Sequence, residues 1–213
     1  MVIDLVLFGN MCSGKTSVGQ ILRHEAGFEV VSAKELIERN LSTAGEDVCR
    51  LRAKGFLLPD PLIVGWIFAG LDAALRTGRP VILDGFPRTA PQAQAVLDGG
   101  HRPNRVVHLD FELEVIRRRF ESRLLCDGCP MPYSTRFSDF NHLCAYCSSR
   151  SFHPRPTDRP DYFEVKTGQF RDVSLQVLPR LRSAGIPFAT VGDHNTLAGL
   201  RAETLSLLKH YGN

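Results

Sequence analysis

Near its N-terminus the chain reads Gly9-Asn10-Met11-Cys12-Ser13-Gly14-Lys15-Thr16, which matches the pattern G-x-x-x-x-G-K-[ST]. The apolar residues 3–8 before it predict a short buried strand, and residues 15–26 after it have the apolar spacing of a helix. A glycine-rich loop between a strand and a helix presents backbone amides and the positive end of the helix dipole to phosphate groups. The octapeptide therefore predicts a phosphate-binding loop.

Two residues of this loop have the chemistry to hold a magnesium nucleotide. We expect Lys15 to reach the β- and γ-phosphates and Thr16 to supply a hydroxyl oxygen to Mg²⁺. Asp84 ends a second apolar segment at 81–83, and we expect its carboxylate to hold Mg²⁺ through water. Taken alone, an aspartate at the end of a strand is more often a turn or cap residue. The predicted nucleotide contacts in the loop are Gly9, Ser13, Gly14, Lys15, Thr16 and Ser17.

Apolar segments and helical stretches alternate along most of the chain. The predicted strands cover residues 3–8, 28–31, 80–83, 105–109 and 186–191. Asp60 and Pro61 predict the N-cap and the first residue of a helix that continues toward Gly78. Alternation of this kind predicts a three-layer α/β fold in which helices cover a five-stranded parallel sheet.

One stretch, residues 126–159, shows neither period and contains two CxxC pairs. The pairs are Cys126/Cys129 and Cys144/Cys147, with 14 residues between them. This spacing is typical of four thiolates that bind one tetrahedral Zn²⁺ and leave no position open for catalysis. We interpret the stretch as a small zinc-binding insertion, a short hairpin without a hydrophobic core of its own that is folded by its metal. A zinc ribbon that binds nucleic acid or protein is the alternative.

The composition limits the class of protein. A chain of 213 residues with 43% hydrophobic residues predicts one compact domain that carries insertions. Its formal charge of +3, from 26 basic and 23 acidic residues, argues against a general nucleic-acid binder. No apolar run reaches the roughly 18 residues of a membrane span, and no basic leader precedes the first strand. We expect a cytoplasmic enzyme with a small-molecule partner and no membrane partner, and a monomer because no apolar helical face is left over.

A second motif begins at the predicted Mg²⁺ carboxylate. Residues 84–89 read Asp-Gly-Phe-Pro-Arg-Thr and are followed by Gln92, and they resemble the D-G-F-P-R-T-x-x-Q segment of adenylate kinases. The phosphate-binding loop, the pair Arg119-x3-Arg123 and the four cysteines extend the resemblance from residue 1 to about residue 195. The resemblance implies a P-loop kinase of the zinc-lid type. Its reaction is transfer of the γ-phosphoryl group of ATP, with Mg²⁺, to a nucleoside monophosphate, and its Zn²⁺ is structural.

The resemblance assigns donor-side roles to several cationic side chains. Arg119, Arg123 and Arg155 close on the donor phosphates and the transferring group, and Arg119 and Arg123 also bind the nucleotide. Lys166 occupies the position of a further catalytic arginine. Planar guanidinium groups suit this task because each pairs with two phosphate oxygens at once. The expected catalytic set is Lys15, Arg88, Arg119, Arg123, Arg155 and Lys166.

On the acceptor side, the resemblance implies that Arg88 binds the acceptor's phosphate and that Gly85 and Gln92 contact the acceptor. The family segment S-T-G-D-[LM]-L-R aligns with residues 32–38 of this chain. There Ala33 replaces a threonine that contacts adenine, and Glu38 replaces an arginine that binds the phosphate. Glu38 thus belongs to the expected acceptor site, where a carboxylate repels a phosphate dianion.

These replacements leave three functions open. The chain is a nucleoside monophosphate kinase, a kinase of another phosphorylated or phosphonylated small metabolite, or a nucleotide-binding zinc-ribbon regulator with little catalysis. Lys34 and Arg39 are the candidates to restore the positive charge that Glu38 removes. The expected division of the chain is a P-loop core at 1–31, 58–123 and 159–213, an acceptor-binding segment at 32–57 and a zinc-binding lid at 124–158.

Overall fold

Strands form two separate sheets in the computed structural model, which describes residues 3–210. In chain order they are β1 (Ile3–Gly9), β2 (Glu29–Ser32), β3 (Val81–Asp84), β4 (Pro103–Leu109), β5 (Arg123–Cys126), β6 (Pro132–Ser134), β7 (Phe152–Pro154) and β8 (Phe188–Thr190). Five of them make one sheet in the order β2-β3-β1-β4-β8, and all neighbouring strands are parallel. The predicted five-stranded parallel sheet is confirmed.

Helices cover both faces of this sheet. They are α1 (Lys15–Ala26), α2 (Ala33–Asn40), α3 (Glu46–Ala53), α4 (Asp60–Leu75), α5 (Ala90–Asp98), α6 (Leu113–Glu121), α7 (Pro160–Asp172), α8 (Val177–Ser183) and α9 (Leu197–Ser206). Along β1, Val6 and Phe8 pack with α4, α5 and α8, whereas Leu5 and Leu7 pack with α1 and α9. Each such buried side chain contributes about 1.5–3 kcal/mol. Among residues 3–210, no helix is long and apolar enough to cross a lipid bilayer.

Helix α4 begins one residue earlier than the sequence suggests. Its N-cap is Pro59 and its first residue is Asp60, so the predicted N-cap at Asp60 is wrong by one position. The Asp60 carboxylate is engaged elsewhere, because it accepts hydrogen bonds from the Thr89 hydroxyl at 2.9 Å and from the Gln92 side-chain amide at 2.7 Å. A contact between α4 and the start of α5 has taken the place of a local cap.

The second sheet belongs to the cysteine-containing insertion. Its strands are antiparallel in the order β6-β5-β7, so the insertion is a three-stranded sheet and not the expected short hairpin. Tyr133, Phe140 and Phe152 pack together with ring centroids between 5.1 and 5.5 Å apart, and Met131 is fully buried beside them. They belong to the same hydrophobic cluster as Leu7 of β1 and Val18 of α1, so the insertion packs onto the main core.

The carboxyl ends of three central strands lie side by side and position the site. Gly9, the last residue of β1, is in register with Leu109 of β4, and Leu7 is in register with Asp84 of β3. The loop after β1 therefore starts next to the Asp84 carboxylate. This edge is where open parallel sheets bind their ligands.

Candidate active site

The phosphate-binding loop leaves β1 through a position that requires glycine. A Cβ atom on Gly9 would lie 2.5 Å from the carbonyl oxygen of Leu109, so a side chain there would collide with the backbone of β4. At the other end of the loop Gly14 has φ 102°, which is left-handed, and it leads directly into α1. The loop therefore passes close under the neighbouring strand and aims the N-terminus of α1 at the space above it.

Lys15 is folded back onto its own loop. Its ammonium group donates to the carbonyl oxygens of Gly9, at 2.7 Å, and of Asn10, and it lies 3.2 Å from the Ser13 hydroxyl. Burial, followed by the charge of Arg88, lowers the pKa of Lys15 to about 7. A nucleotide phosphate competes with these acceptors for the ammonium group and favours its charged form.

The Thr16 hydroxyl and the Asp84 carboxylate are in direct contact. Thr16 Oγ1 donates to Asp84 Oδ2 at 3.1 Å, with Asp84 buried and Thr16 exposed toward the space above the loop. Hard oxygen ligands of this kind fit Mg²⁺, which takes one or two protein ligands beside substrate phosphates. The next hydroxyl along α1, that of Ser17, is 8% exposed.

A cavity of about 380 Å³ lies above the loop and has the size of a small-ligand site. Its floor is the phosphate-binding loop, its roof is the β5/β6 part of the insertion, and one wall is the 191–195 segment. Arg119 lies beside this wall and contacts three parts of the chain. It donates to the Ser13 carbonyl at 2.8 Å, pairs with Asp193 and lies 4.1 Å from the Phe111 ring centroid. The guanidinium of Arg119 is thus fixed by three separate elements.

Arg123 and Arg155 also line this cavity. Arg123 Nε donates to the Asp158 carboxylate at 2.8 Å, and both side chains are largely buried. Arg155 has no carboxylate within 4.0 Å among residues 3–210, and burial lowers its pKa. Among the donor-side residues that the sequence indicates, Lys15, Thr16, Arg119, Arg123 and Arg155 therefore come together around one cavity.

The insertion is docked onto the core at two points. The Asp139 carboxylate accepts hydrogen bonds from the backbone amides of Leu197, at 2.9 Å, and Ala198, at 3.0 Å, and so caps α9. The Tyr146 hydroxyl donates to Glu25 of α1 at 2.8 Å. These contacts hold the roof of the cavity over the phosphate-binding loop.

The four cysteines of the insertion form a compact sulfur cluster. All four Sγ atoms lie within 4.8 Å of one another, with Cys126 and Cys147 at 3.4 Å and Cys129 and Cys144 at 3.5 Å. Tetrahedral thiolates at the usual Zn–S distance of about 2.3 Å are about 3.8 Å apart. The Tyr133 hydroxyl also donates to the Cys144 sulfur at 3.3 Å. The four cysteine thiolates fit one structural Zn²⁺. They would fill all four tetrahedral positions and leave none for a substrate.

Arg88 and Gln92, the residues expected to bind the acceptor, are held by other protein groups. Arg88 is half-buried and folds back so that its Nε donates to the Gly85 carbonyl at 2.7 Å, a turn that Gly85 allows with φ 79°. Gln92 is 2% exposed, its amide oxygen accepts from the Arg88 backbone at 2.7 Å and its amide nitrogen donates to Asp60 at 2.7 Å. Protein groups thus hold both ends of the Gln92 amide that the resemblance assigns to the acceptor.

Of the two sequence candidates for the missing positive charge, Lys34 lines the cavity above the phosphate-binding loop and Arg39 does not. Arg39 is 74% exposed and lies 3.8 Å from Glu35, and Lys34 lies 3.6 Å from Glu38. A residue that sequence reasoning missed, Arg52 of α3, also reaches Glu38 at 3.6 Å. No motif could have indicated Arg52, because its contacts with other elements are set by tertiary packing alone.

Lys166 lies on α7. Its ammonium group is 5.5 Å from the centroid of the Tyr162 ring. Burial, followed by the charges of Arg88, Arg52 and Arg155, lowers its pKa to about 7. The position that the resemblance assigns to a catalytic arginine is therefore half-buried and feels the charge of three arginines.

Comparison with known proteins gives a consistent family. The chain is 33% identical over 186 residues to an adenylate kinase from Nitrosococcus oceani, with 82% of each chain covered. It is 30% identical over 198 residues to an adenylate kinase from Sphingopyxis alaskensis, with 87% of this chain and 89% of the relative covered. No family model matches the sequence. From these similarities over most of both chains, we conclude that the protein belongs to the adenylate kinase family, a family of phosphotransferases.

Proposed function

We propose that this chain transfers the γ-phosphoryl group of MgATP to the phosphate of a nucleoside monophosphate. The observation that carries the proposal is the position of Arg155, which links the positively charged residues expected to bind ATP with those expected to bind the acceptor. Arg155 lines the cavity above the phosphate-binding loop, and its pKa is lowered by burial and by the charges of Arg123 on the donor side and Arg52 on the acceptor side. A phosphate on each side of Arg155 would bring the two reacting groups together.

The chemistry follows from this arrangement. An oxygen of the acceptor phosphate attacks the γ-phosphorus, the bond from that phosphorus to the β–γ bridging oxygen breaks, and ADP leaves. The attacking oxygen is already anionic, so no general base is needed. Lys15, Arg119 and Arg123 stabilise the charge that spreads over the transferred group. Thr16 would hold Mg²⁺ through its hydroxyl and Asp84 would hold it through water, and the ion would supply positive charge to the donor phosphates.

We also propose the division of the chain that the sequence suggests, with an acceptor-binding segment at 32–57 and a zinc-binding lid at 124–158. Residues 1–31, 58–123 and 159–213 are then the P-loop core, of which residues 1–2 and 211–213 lie outside the described part. The contacts of Asp139 with α9 support a closing role for the lid. Closure excludes water and so suppresses hydrolysis of ATP.

A second acceptor class has its own support. Ala33 carries no hydroxyl, and the Gln92 amide is held by Asp60 and by the Arg88 backbone, so neither side chain is poised to bind adenine. The arginine and lysine side chains of the site would bind a phosphate group without distinguishing one base from another. A different phosphorylated or phosphonylated small metabolite is therefore the alternative acceptor. A regulator without transfer has less support, because binding alone does not need guanidinium groups on both sides of the transferred phosphoryl.

The test is a coupled ADP-release assay with MgATP against nucleoside monophosphates and small phosphorylated or phosphonylated acids. We expect turnover with at least one nucleoside monophosphate and none with the Lys15→Ala variant. Turnover confined to a compound that is not a nucleotide would replace the acceptor but keep the reaction. Binding of ATP without turnover across the whole panel would favour the regulator.

A further inference from the structure

Arg52 connects three elements on the acceptor side of the site. Its side chain is 16% exposed at the C-terminal end of α3. One terminal nitrogen donates to the Tyr162 hydroxyl of α7 at 2.9 Å, and the other lies 3.6 Å from the Glu38 carboxylate of α2. Tyr162 is also the residue over which Lys166 lies. The guanidinium of Arg52 therefore lies between α2 and α7 and is largely shielded from solvent.

The backbone after α3 holds Arg52 in this position. Gly55 has φ 84°, and a Cβ atom on it would lie 3.0 Å from two carbon atoms of the Tyr162 ring. A residue with a side chain would force α3 and α7 apart at this point. The close approach fixes where the end of α3 lies, and with it the start of the Arg52 side chain.

Arg52 acts electrostatically on three other cationic side chains, those of Arg88, Arg155 and Lys166. We call these four residues the cationic cluster, and it carries more positive charge than the surrounding protein neutralises. Among residues 3–210, no carboxylate lies within 4.0 Å of Arg88, Arg155 or Lys166, and Arg52 has Glu38 alone at 3.6 Å. Burial lowers the pKa of each of the first three, and the charge of Arg52 lowers it further. Buried like charges destabilise one another unless an anion joins them. A phosphate dianion provides the charge that the cluster lacks.

We propose that Arg52 binds the phosphate of the acceptor and supplies the positive charge that Glu38 removes from α2. The inference rests on the proposed function and adds a binding residue to it. Glu38 holds the guanidinium in position through their ion pair until the acceptor phosphate takes over that contact. Arg52 and Glu38 therefore act on phosphate affinity in opposite directions, since the arginine attracts the dianion and the carboxylate repels it.

The experiment measures binding of inorganic phosphate by calorimetry to protein saturated with Mg²⁺ and a non-hydrolysable ATP analogue. Arg52→Met should weaken phosphate binding roughly 10- to 100-fold, the range for a lost charge-assisted hydrogen bond. Glu38→Gln should tighten it by about threefold or more, and Arg52→Lys should fall between wild type and Arg52→Met. Arg50→Met is the matched control, because Arg50 lies on the same helix, is 68% exposed and should leave phosphate affinity unchanged.

Three outcomes would overturn the proposal. They are wild-type protein that binds no phosphate in this state, phosphate affinity that does not respond to Arg52→Met, and phosphate binding that Glu38→Gln weakens relative to wild type. The last is the result expected if the ion pair only stabilises the fold, and it is readable even if Arg52→Met fails to fold. Arg52-dependent phosphate binding without transfer to any nucleoside monophosphate would instead overturn the proposed function and leave the role of Arg52 intact.

Discussion

The side-chain amide of Gln92 donates to the carboxylate of Asp60 at 2.7 Å and joins α5 to α4. The same carboxylate accepts from the Thr89 hydroxyl at 2.9 Å, and the Gln92 amide oxygen accepts from the Arg88 backbone at 2.7 Å. All of these groups are buried or half-buried. Gln92 is thus part of the framework that holds the turn carrying Arg88, whatever else it contacts.

We therefore expect Gln92→Ala to lower the free energy of unfolding by about 1–3 kcal/mol, because it leaves the Asp60 carboxylate with one partner fewer. Urea denaturation without ligand measures this. Gln94→Ala is the matched control, since Gln94 lies on the same helix and bonds to Asp98 on the surface, and it should stay within about 0.5 kcal/mol of wild type. Unchanged stability together with a raised KM for AMP would show instead that Gln92 serves the acceptor's base.

The neighbouring hydroxyls of Thr16 and Ser17, in the first turn of α1, should contribute unequally to Mg²⁺ binding. Thr16 is exposed and contacts Asp84 at 3.1 Å, whereas Ser17 is 8% exposed. We expect Thr16→Val to lower kcat roughly 10- to 100-fold and to raise the Mg²⁺ concentration needed for half-maximal rate, because a hard oxygen ligand is lost. Ser17→Ala should have a smaller effect in the same titration. The reverse order would assign the Mg²⁺ hydroxyl to Ser17.

The sulfur cluster should hold a metal ion that keeps the lid folded. We expect the purified protein to contain Zn²⁺ by elemental analysis and Cys144→Ser to lose most of it, because structural zinc sites need all their ligands. Chelation should speed hydrogen exchange in β5, β6 and β7 and leave the central sheet protected. Cys49→Ser is the control, since this exposed cysteine lies outside the cluster. Full zinc content in Cys144→Ser would contradict the assignment.

The sequence predicted those parts of the site that local patterns specify. The loop around Lys15, the carboxylate of Asp84 and the CxxC pairs each have a fixed spacing whose chemistry requires those residue types. The five strands were predictable for a similar reason, because a buried parallel strand is a short continuous apolar run. Such features do not depend on which distant segment packs against them.

Distant contacts account for what the sequence did not reveal. Arg52 meets Tyr162 across 110 positions of the chain, and Arg119 meets Asp193 across 74. The packing of Phe140 against Phe152 was missed because both residues belong to segments with no helical or strand period. In each case the contact follows from the three-dimensional path of the backbone, which a single sequence does not encode as a spacing.

Lys166 should make acceptor binding sensitive to pH. Burial, followed by the charges of Arg88, Arg52 and Arg155, lowers its pKa to about 7, and the Tyr162 ring covers it from one side. A phosphate dianion beside the ammonium group favours the charged form. Above pH 7, the acceptor therefore binds to a form of the protein that must first take up a proton.

Because acceptor binding requires this proton, we expect kcat/KM for the acceptor, measured with saturating MgATP, to fall as the pH rises above about 7.5. The fall should be up to about tenfold per pH unit. The pKa of Lys15 is also about 7, but saturating nucleotide keeps Lys15 in its charged form. Titration of Lys15 therefore does not contribute to the pH dependence of kcat/KM. Lys166→Arg stays charged at every pH in this range and should flatten the decline. A decline of the same steepness in Lys166→Arg would mean that another group titrates, and a flat wild-type profile would mean that Lys166 stays protonated when the acceptor arrives.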